Sequence, residues 1–136
     1  MKLLTVAVPC YNSQEYMHYS IQTLLAGGEE VEILIINDGS KDDTARIADQ
    51  YAAAYPTIIR AIHQENKGHG GAVNTGMANA TGKYFKVVDS DDWVDVRAYL
   101  KILEQLRRFE KNGEEVDVFI TNFVYEKEGA KTKKIM

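Results

Sequence analysis

The segment Lys86-Val87-Val88-Asp89-Ser90-Asp91-Asp92-Trp93 carries the strongest structural signal in this chain of 136 residues. Together with Tyr84 and Phe85, its first residues form a β-branched and aromatic run of the kind found in buried strands. The run ends in three carboxylates. Open α/β sheets bind their ligands at the carboxyl ends of their strands. The three aspartates are therefore expected at a ligand-binding edge of a sheet.

These aspartates are also candidate metal ligands. Carboxylates held close together repel one another unless a cation or an array of hydrogen-bond donors compensates. Oxygen-only ligand sets suit Mg²⁺ or Mn²⁺, and Mg²⁺ usually shares its coordination with substrate phosphates. One aspartate after a strand can be a helix cap, but three rarely are. We therefore expect Asp89, Asp91 and Asp92 to bind Mg²⁺ or Mn²⁺ beside a diphosphate.

The rest of the chain alternates apolar runs with amphipathic helical patterns. Strands are predicted at residues 3–8, 31–36, 58–63, 84–88 and 116–120. Strands that alternate with helices of ten or more residues predict an α/β fold with a mostly parallel sheet. Pro9 is expected to close the first strand, because proline cannot donate a ladder hydrogen bond. After residue 122, a strand at Phe123–Glu126 and a turn at Gly129 predict a hairpin, and we interpret the whole as a domain cut from a longer protein.

The helical patterns predict caps as well as buried faces. Ser13 and Asp95 are expected to cap the first and last helices. The predicted buried faces comprise Met17, Ile21, Leu24 and Leu25; Ala48, Tyr51, Ala52 and Tyr55; Val73, Gly76, Met77 and Ala80; and Tyr99, Leu103 and Leu106.

Composition excludes several classes of function. The net charge is −4 and the chain has no stripe of lysine and arginine, which argues against nucleic-acid binding. No apolar stretch approaches the ~18 residues of a membrane span. The single cysteine, Cys10, rules out an internal disulfide and fits a reducing compartment.

Three further loops follow the first three strands. In Pro9-Cys10-Tyr11-Asn12, Tyr11 can stack on a planar base and Asn12 can orient the turn, although a plain strand-to-helix turn fits equally well. In Asn37-Asp38-Gly39-Ser40, Asp38 can accept hydrogen bonds from a base or a ribose, although this is also a common turn composition.

The third loop, Asn66-Lys67-Gly68-His69-Gly70-Gly71, is rich in glycine and enters a helix. Glycines let backbone amides approach a phosphate, and a helix N-terminus favours anions. The glycine spacing does not match the dinucleotide-binding fingerprint, and Lys67 is not placed as in a P-loop. The loop therefore argues against a classical nucleotide-dependent dehydrogenase or a kinase.

These loops carry motifs in a fixed order: Pro9-x-Tyr11-Asn12, Asn37-Asp38-Gly39-Ser40, Asn66-x-Gly68-x-Gly70-x-Ala72-x-Asn74-x-Gly76, Gly82-x-Tyr84 and Asp89-Ser90-Asp91-Asp92. In this order and spacing the chain resembles family 2 glycosyltransferases from residue 3 to about residue 122. The resemblance implies a GT-A fold, a nucleotide-diphospho-sugar donor, a divalent cation, and inversion at the anomeric carbon. It also implies a carbohydrate or lipid-linked acceptor in bacterial cell-wall or polysaccharide synthesis.

The resemblance implies roles for individual residues. Pro9, Tyr11 and Asn12 would line the nucleoside pocket, and Asp38 would bind the base, usually uracil, so that the donor would be a UDP-sugar. Asp91 would be the first metal ligand, assisted by Asp89 or Asp92. The remaining implied nucleotide-binding residues are Lys67, Gly68, Gly70, Gly71, Asp89 and Ser90.

Two departures from the family pattern matter. Val73 stands where many members have arginine, so that a contact is missing or is supplied by Lys67 or His69. The family's catalytic base is a carboxylate in the acceptor-binding half, whereas Glu126 and Glu128 are expected in an exposed tail. We therefore predict a donor-binding domain at residues 1–122, the start of an acceptor-side segment at residues 123–136, and a base beyond Met136. The chain alone would be inactive, and it would be cytoplasmic, with the parent protein at the inner face of the membrane.

Two alternative functions remain: a nucleotide-binding module without catalysis, and a nucleotidyltransferase. The latter class usually has a basic, glycine-rich loop after its first strand, which Pro9-Cys10-Tyr11-Asn12 is not. Cys10, His18 and His63 are predicted to have packing or surface roles. Trp93 is predicted either to wall a sugar pocket or to pack at a helix edge.

Overall fold

The computed structural model describes residues 2–113, 123–127 and 133–135, with side chains for residues 2–113. The strands are β1 (Leu4–Cys10), β2 (Val31–Asp38), β3 (Ile59–Gln64), β4 (Tyr84–Val87), β5 (Asp92–Val94), β6 (Phe123–Lys127) and β7 (Lys133–Ile135). The helices are α1 (Met17–Leu25), α2 (Thr44–Ala54), α3 (Gly68–Asn79) and α4 (Val96–Lys111), with a short 3₁₀ turn at Gly28–Glu30.

Four parallel strands form the main sheet, in the order β3-β2-β1-β4. The chain therefore runs from β1 outward through β2 to β3, and then returns to the other side of β1 as β4. This reversal makes β1 and β4 the topological switch point, and in open α/β sheets ligands bind outside the carboxyl ends of the strands there. The predicted mostly parallel α/β sheet is confirmed.

The two faces of the sheet are packed differently. Alternate residues of a strand point to opposite faces, so that Ile33 and Ile35 of β2 belong to a large core and Leu34 and Ile36 to a small one. The large core contains the buried sides of α1, α2 and α4: Met17, Ile21, Leu24, Ile47, Ala48, Tyr99, Ile102, Leu103 and Leu106. The small core is closed by Ala72 of α3. Among the described helices, α3 is therefore the one that packs on this face.

Helix α3 approaches β1 closely through a glycine. A Cβ atom added to Gly76 would lie 2.7 Å from the Cβ of Ala7, so that a larger residue would push the helix off the sheet. The predicted close packing is therefore confirmed at Gly76. The prediction is wrong for two other residues of that face. Met77 is 59% exposed, and Ala80 lies beyond the helix end, with an extended backbone.

Some predicted element ends are corrected. Strand β1 continues through Pro9 to Cys10. The carbonyl of Ala7 accepts a hydrogen bond from Val88 N, and the β1–β4 register ends at Ala7. Residues two apart in a strand point their backbone N–H and C=O groups to the same side, so that Ala7 and Pro9 both face the β4 side. The pairing with β4 has ended before Pro9, and its missing N–H therefore faces no partner strand. Proline is tolerated there because no ladder bond is lost.

The caps differ between the first and the last helix. Asp95 caps α4 as predicted, because its side chain accepts from Ala98 N at 3.0 Å. Helix α1 begins at Met17 without a side-chain cap, and the Ser13 side chain is used elsewhere. The prediction that Ser13 caps α1 is therefore wrong. Tyr55, predicted on the buried face of α2, lies just beyond the helix and is exposed.

A second, antiparallel sheet has the order β5-β6-β7. The predicted hairpin is confirmed in the pairing of β6 with β7. The backbone of Glu126 in β6 pairs with that of Trp93 in β5, so that this residue belongs to a strand, and its expected exposure stays a prediction. Glu128, Gly129 and the strand predicted at residues 116–120 lie outside the described residues. In the described part of the chain, no helix is both long enough and apolar enough to cross a membrane.

Candidate functional site

A cavity of about 350 Å³ lies at the switch point of the sheet. The end of β1 and the loop after β4 form two of its walls, and the end of β2 and the first turns of α3 contribute the rest. The lining residues are Pro9, Cys10, Tyr11, Ser13, Asp38, His69, Ala72, Asp89, Ser90 and Asp91. Six of the residues predicted from sequence to form a site, Pro9, Tyr11, Asp38, Asp89, Ser90 and Asp91, thus lie around one cavity.

The predicted carboxylate cluster is brought together beside this cavity. One carboxylate oxygen from each of Asp89, Asp91 and Asp92 lies within 4.8 Å of the others. The backbone N–H of Asp92 donates to the carbonyl of Asp89 at 3.0 Å, and this turn folds the short segment back on itself. Asp91 is exposed and Asp92 is buried. An oxygen-only donor set of three carboxylates fits Mg²⁺ or Mn²⁺.

The charge of the cavity wall is strongly negative. Among the residues that line it, Asp38, Asp89 and Asp91 are acidic, and His69 is the one side chain that can carry a positive charge. His69 Nε2 lies 2.7 Å from Asp89 Oδ1. A diphosphate that entered this cavity would need an added cation to offset the carboxylates.

Asp38 has a structural contact that sequence reasoning missed. Its side chain is buried, and its Oδ1 accepts hydrogen bonds from Lys67 N at 2.7 Å and from Gln64 Nε2 at 3.0 Å. Its carbonyl accepts from Asn66 Nδ2 at 3.1 Å. Asp38 therefore holds the start of the glycine-rich loop in place while it lines the cavity.

The turn after Asp38 requires glycine. Gly39 has a positive φ of 72°, and a Cβ atom on it would lie 2.7 Å from the backbone N of Asn66. The predicted Asn37-Asp38-Gly39-Ser40 turn thus brings the second and third loops into contact.

Tyr11 and Asn12 are placed differently. Tyr11 lines the cavity and is 51% exposed, so that a ligand in the cavity can reach this residue. Asn12 is not among the lining residues, and its φ of 48° is in the left-handed region. Its Oδ1 accepts from Lys41 N at 2.8 Å, and its N–H donates to Ser40 Oγ at 2.9 Å. Asn12 joins the first loop to the second.

A buried hydroxyl network supports the cavity. Ser13 Oγ and Ser90 Oγ are 2.7 Å apart, and Ser13 N donates to Thr44 Oγ1 at 2.8 Å. This network ties the acidic segment to the β1–α1 loop and to α2. Sequence reasoning did not assign Ser13 or Thr44 to the site, because their partners are 77 and 31 residues away in the chain.

Cys10 lies beside this network. Burial raises the pKa of the Cys10 thiol to about 12. This keeps the thiol protonated and unreactive, as its predicted packing role requires.

The predicted glycine-rich residues lie at the N-terminus of α3. Lys67 precedes the helix and Gly68 has a φ of 80°. Gly70 has open space where a Cβ would be, whereas a Cβ on Gly71 would meet the Lys67 side chain at 2.5 Å. His69 and Ala72 of the same helix line the cavity. Lys67 and the three glycines are not among its lining residues.

The other singled-out side chains contact neighbouring elements. His18 Nδ1 lies 2.8 Å from the Tyr51 hydroxyl. His63 bridges Asp49 and Asn37, at 2.8 Å and 3.0 Å. Trp93 packs against Tyr19 of α1, with ring centroids 4.7 Å apart. Both histidines are exposed and hydrogen-bond neighbouring elements, which agrees with the predicted surface or packing roles, and Trp93 packs at a helix edge.

Known proteins are similar to this chain in sequence. Residues 5–135 match the family described as Glycosyl transferase family 2. The putative glycosyltransferase EpsH of Bacillus subtilis (strain 168) is 34% identical over 124 residues, which cover 90% of this chain and 34% of EpsH. The minor teichoic acid biosynthesis protein GgaA of the same strain is 31% identical over 135 residues, covering 93% of this chain and 29% of GgaA. The chain spans about a third of the length of these curated relatives.

A solved structure shares the fold. S. aureus TarS 1–349 in complex with UDP-GlcNAc matches with a TM-score of 0.69 and 25% identity, covering 81% of this chain and 32% of that protein. The parallel sheet flanked by helices is the GT-A fold that the sequence resemblance implies. With the family match over residues 5–135, these findings show that this chain belongs to glycosyl transferase family 2.

Proposed function

We propose that this chain is the donor-binding part of an inverting glycosyltransferase whose donor is a UDP-sugar. The observation that carries the proposal is the position of the acidic cluster, because Asp89 and Asp91 line the switch-point cavity together with Asp38. We assign residues 1–122 to donor binding and residues 123–136 to the start of the acceptor side.

The nucleoside would occupy the part of the cavity near β1 and β2. Tyr11 offers a ring for stacking on the base, and Pro9 forms the adjoining wall. The Asp38 carboxylate would accept a hydrogen bond from the base. Because Asp38 also holds Lys67 N, base binding would be coupled to the position of the glycine-rich loop. The TarS complexes with UDP-GlcNAc and UDP support uridine as the nucleoside.

The diphosphate would lie between the acidic cluster and the start of α3. Asp91, assisted by Asp89 and Asp92, would hold Mg²⁺ or Mn²⁺, which as a Lewis acid supplies charge neutralisation to the leaving diphosphate. Ser90 and Asp89 would contact the ribose. The amides of Gly68, Gly70 and Gly71 offer donors at the helix N-terminus, where anions are favoured. Asn12 and Lys67 would act mainly by holding these loops in place.

Transfer requires the acceptor hydroxyl to attack the anomeric carbon as the bond to the diphosphate oxygen breaks. The hydroxyl proton must pass to a base, which contributes typically ~10²–10⁴-fold to the rate. Asp38 is bonded to the glycine-rich loop, and Asp89 and Asp91 belong to the cluster. We therefore assign the base to the acceptor-side part of the protein. Residues 1–136 alone are then expected to bind donor without transferring sugar.

The acceptor and the setting are proposed from the relatives and the composition. The name of GgaA, a minor teichoic acid biosynthesis protein, supports a carbohydrate or lipid-linked acceptor in cell-wall polymer synthesis. The single buried cysteine is compatible with a reducing compartment, which supports a cytoplasmic site of action at the inner face of the membrane.

Calorimetric titration tests this function directly. UDP, GDP and uridine are titrated into the protein in Mn²⁺ and again in EDTA. We expect UDP to bind more tightly in Mn²⁺ than in EDTA, GDP to bind more weakly than UDP, and uridine to be insensitive to the metal. Equal UDP affinity in both buffers would contradict the metal assignment, and equal affinity for UDP and GDP would contradict the role of Asp38 in recognising uracil.

A further inference from the structure

We propose that His69 is a positioning residue that orients the Asp89 carboxylate within the acidic cluster. The inference rests on the proposed function, because it concerns the same cavity, and it assigns a task to a side chain that the sequence motifs leave undefined. His69 lies in the first turn of α3, and Asp89 follows β4, so that their contact joins two separate elements of the cavity wall.

The contact between His69 and Asp89 is short and exposed. His69 Nε2 lies 2.7 Å from Asp89 Oδ1, and the two side chains are 62% and 44% exposed. Exposed pairs of this kind contribute typically ~0–1 kcal/mol to folding. Stability therefore gives a weak reason for such a contact. Its position in the cavity wall gives a stronger one, because both side chains line the space that the ligand would enter.

The Asp89 carboxylate depends on this contact for its orientation. Among residues 2–113, His69 is the side chain that hydrogen-bonds it, while the Asp89 backbone carbonyl accepts from Asp92 N. The backbone of the acidic segment is thus fixed by the turn, and the carboxylate is fixed by the imidazole. Without His69, Asp89 could rotate away from Asp91 and Asp92, and the close grouping of the three carboxylates would be lost.

Imidazole is suited to this task. Its Nε2–H can donate to Asp89 whether or not the ring is charged, so that the orientation does not require a full positive charge beside the cation. Outer hydrogen-bond partners of ligating carboxylates commonly change metal affinity by ~10–100-fold when removed. An effect of this size on metal affinity, with little effect on folding, separates positioning from a structural role.

The test compares three variants with the native protein. Mn²⁺ affinity is measured from the electron paramagnetic resonance signal of unbound Mn²⁺, with and without UDP, and uridine affinity is measured in EDTA. His69→Ala removes the donor, whereas the amide of His69→Gln can still donate to Asp89. His18→Ala is the matched control, because His18 also hydrogen-bonds on the surface but contacts Tyr51 away from the cavity.

We expect His69→Ala to weaken Mn²⁺ binding by ~10-fold, and His69→Gln to stay within about threefold of the native protein. The His18→Ala control should match the native protein. Uridine affinity should fall only in His69→Ala, and by less than Mn²⁺ affinity, because Asp89 is also proposed to contact the ribose. The thermal midpoint should be unchanged in all variants. Native Mn²⁺ affinity in His69→Ala would overturn the proposal, and so would equal losses in the Ala and Gln variants. A native protein that binds neither Mn²⁺ nor UDP would overturn the proposed function itself, and this inference with it, before any variant is compared.

Discussion

The parallel sheet has an amino edge, where its strands begin, and a carboxyl edge, where they end. Both edges carry carboxylates, in opposite settings. At the amino edge, Glu32 is buried, with 6% exposure, and accepts from Thr5 Oγ1 and Thr81 N, each at 2.9 Å. Arg60 Nε lies 3.2 Å from its second oxygen. At the carboxyl edge, three aspartates crowd within 4.8 Å of one another beside a cavity.

The difference separates a carboxylate that serves the fold from carboxylates that serve a ligand. Glu32 has donors and a cation from its own chain, so that its burial is compensated on folding. The acidic cluster places like charges together, an arrangement that opposes folding and favours a bound cation. Sites where a chain departs from local stability rules are expected to be functional. The following predictions test whether the two edges divide these tasks.

The largest effect on ligand binding is expected at the carboxyl edge, from Asp91→Asn. Loss of one ligand charge should weaken UDP binding in Mn²⁺ by roughly 100-fold and remove its dependence on the metal. The thermal midpoint should stay the same or rise, because repulsion within the cluster is relieved. Calorimetry and thermal melts of the same preparation measure both. Asp43→Asn removes an exposed charge outside the cavity and is the control. A lowered thermal midpoint of Asp91→Asn with unchanged UDP affinity would show that Asp91 serves the fold and not the ligand.

The converse result is expected at the amino edge, from Glu32→Ala. This change leaves the Thr5 hydroxyl and the Thr81 amide without their acceptor and Arg60 without its counter-ion. The free energy of unfolding should fall by about 3 kcal/mol. Urea denaturation measures it, and Glu104→Ala, at an exposed pair with Arg108, is the control with an expected change below ~0.5 kcal/mol. UDP affinity of the folded variant should equal that of the native protein.

The sequence predicts much of this fold where the patterns involve residues close together in the chain. The period of Tyr99, Leu103 and Leu106 and the cap at Asp95 predict α4, and the structure buries those three side chains. The apolar runs that alternate with helices predict the parallel sheet, and parallel strands bring their carboxyl ends to one edge. That rule alone explains why four loops distant in sequence meet at one cavity.

Features that depend on distant partners were missed. Strand β5 has three residues and pairs with residues of β6 that lie more than 30 positions later in the chain. Ser13 is a residue type typical of helix caps, but its hydroxyl bonds with that of Ser90, and both residues line the cavity. Pro9 has the composition of a strand end, and only the early end of β4 shows why the strand continues. No local pattern encodes such contacts.

The two edges should also respond differently to crowding. A Cβ on Gly82 would lie 2.6 Å from Thr5 N and 2.8 Å from the Leu4 carbonyl carbon, which are backbone atoms that cannot move cheaply. Gly82→Ala should therefore lower the free energy of unfolding by about 2 kcal/mol, with UDP affinity unchanged. Gly70→Ala is the matched control, because its Cβ would meet open space. Equal free energies of unfolding for the two variants would show that the amino edge tolerates an added Cβ at Gly82.

At the carboxyl edge, Gly70→Val should affect the ligand rather than the fold. Its side chain would enter open space at the start of α3, where amides are proposed to approach the diphosphate. UDP affinity should fall about fivefold, which is about 1 kcal/mol, while uridine affinity and the thermal midpoint stay unchanged. Equal losses for UDP and uridine would place the glycine-rich loop outside the phosphate site.

The smallest effect is expected from acid, and it again separates the edges. Burial alone would raise the pKa of Glu32, but hydrogen bonds from Thr81 and Thr5 and the charge of Arg60 lower it below the ordinary value. The stability that this lowered pKa provides is fully present above the unfolded pKa of about 4.3 and is lost as the pH falls through the folded pKa. Urea midpoints should therefore decline from about pH 5 to pH 3.

In Glu32→Gln this decline should be shallower but not absent, because hydrogen bonds from Thr44 and Gln14 also lower the pKa of Asp42 against the opposing effect of burial. Asp42 lies away from the amino edge, just before α2, and contributes to the remaining dependence. The Glu104→Ala control should decline as the native protein does. An unchanged slope in Glu32→Gln would show that the hydrogen bonds of Glu32 do not favour its charged form in the folded protein.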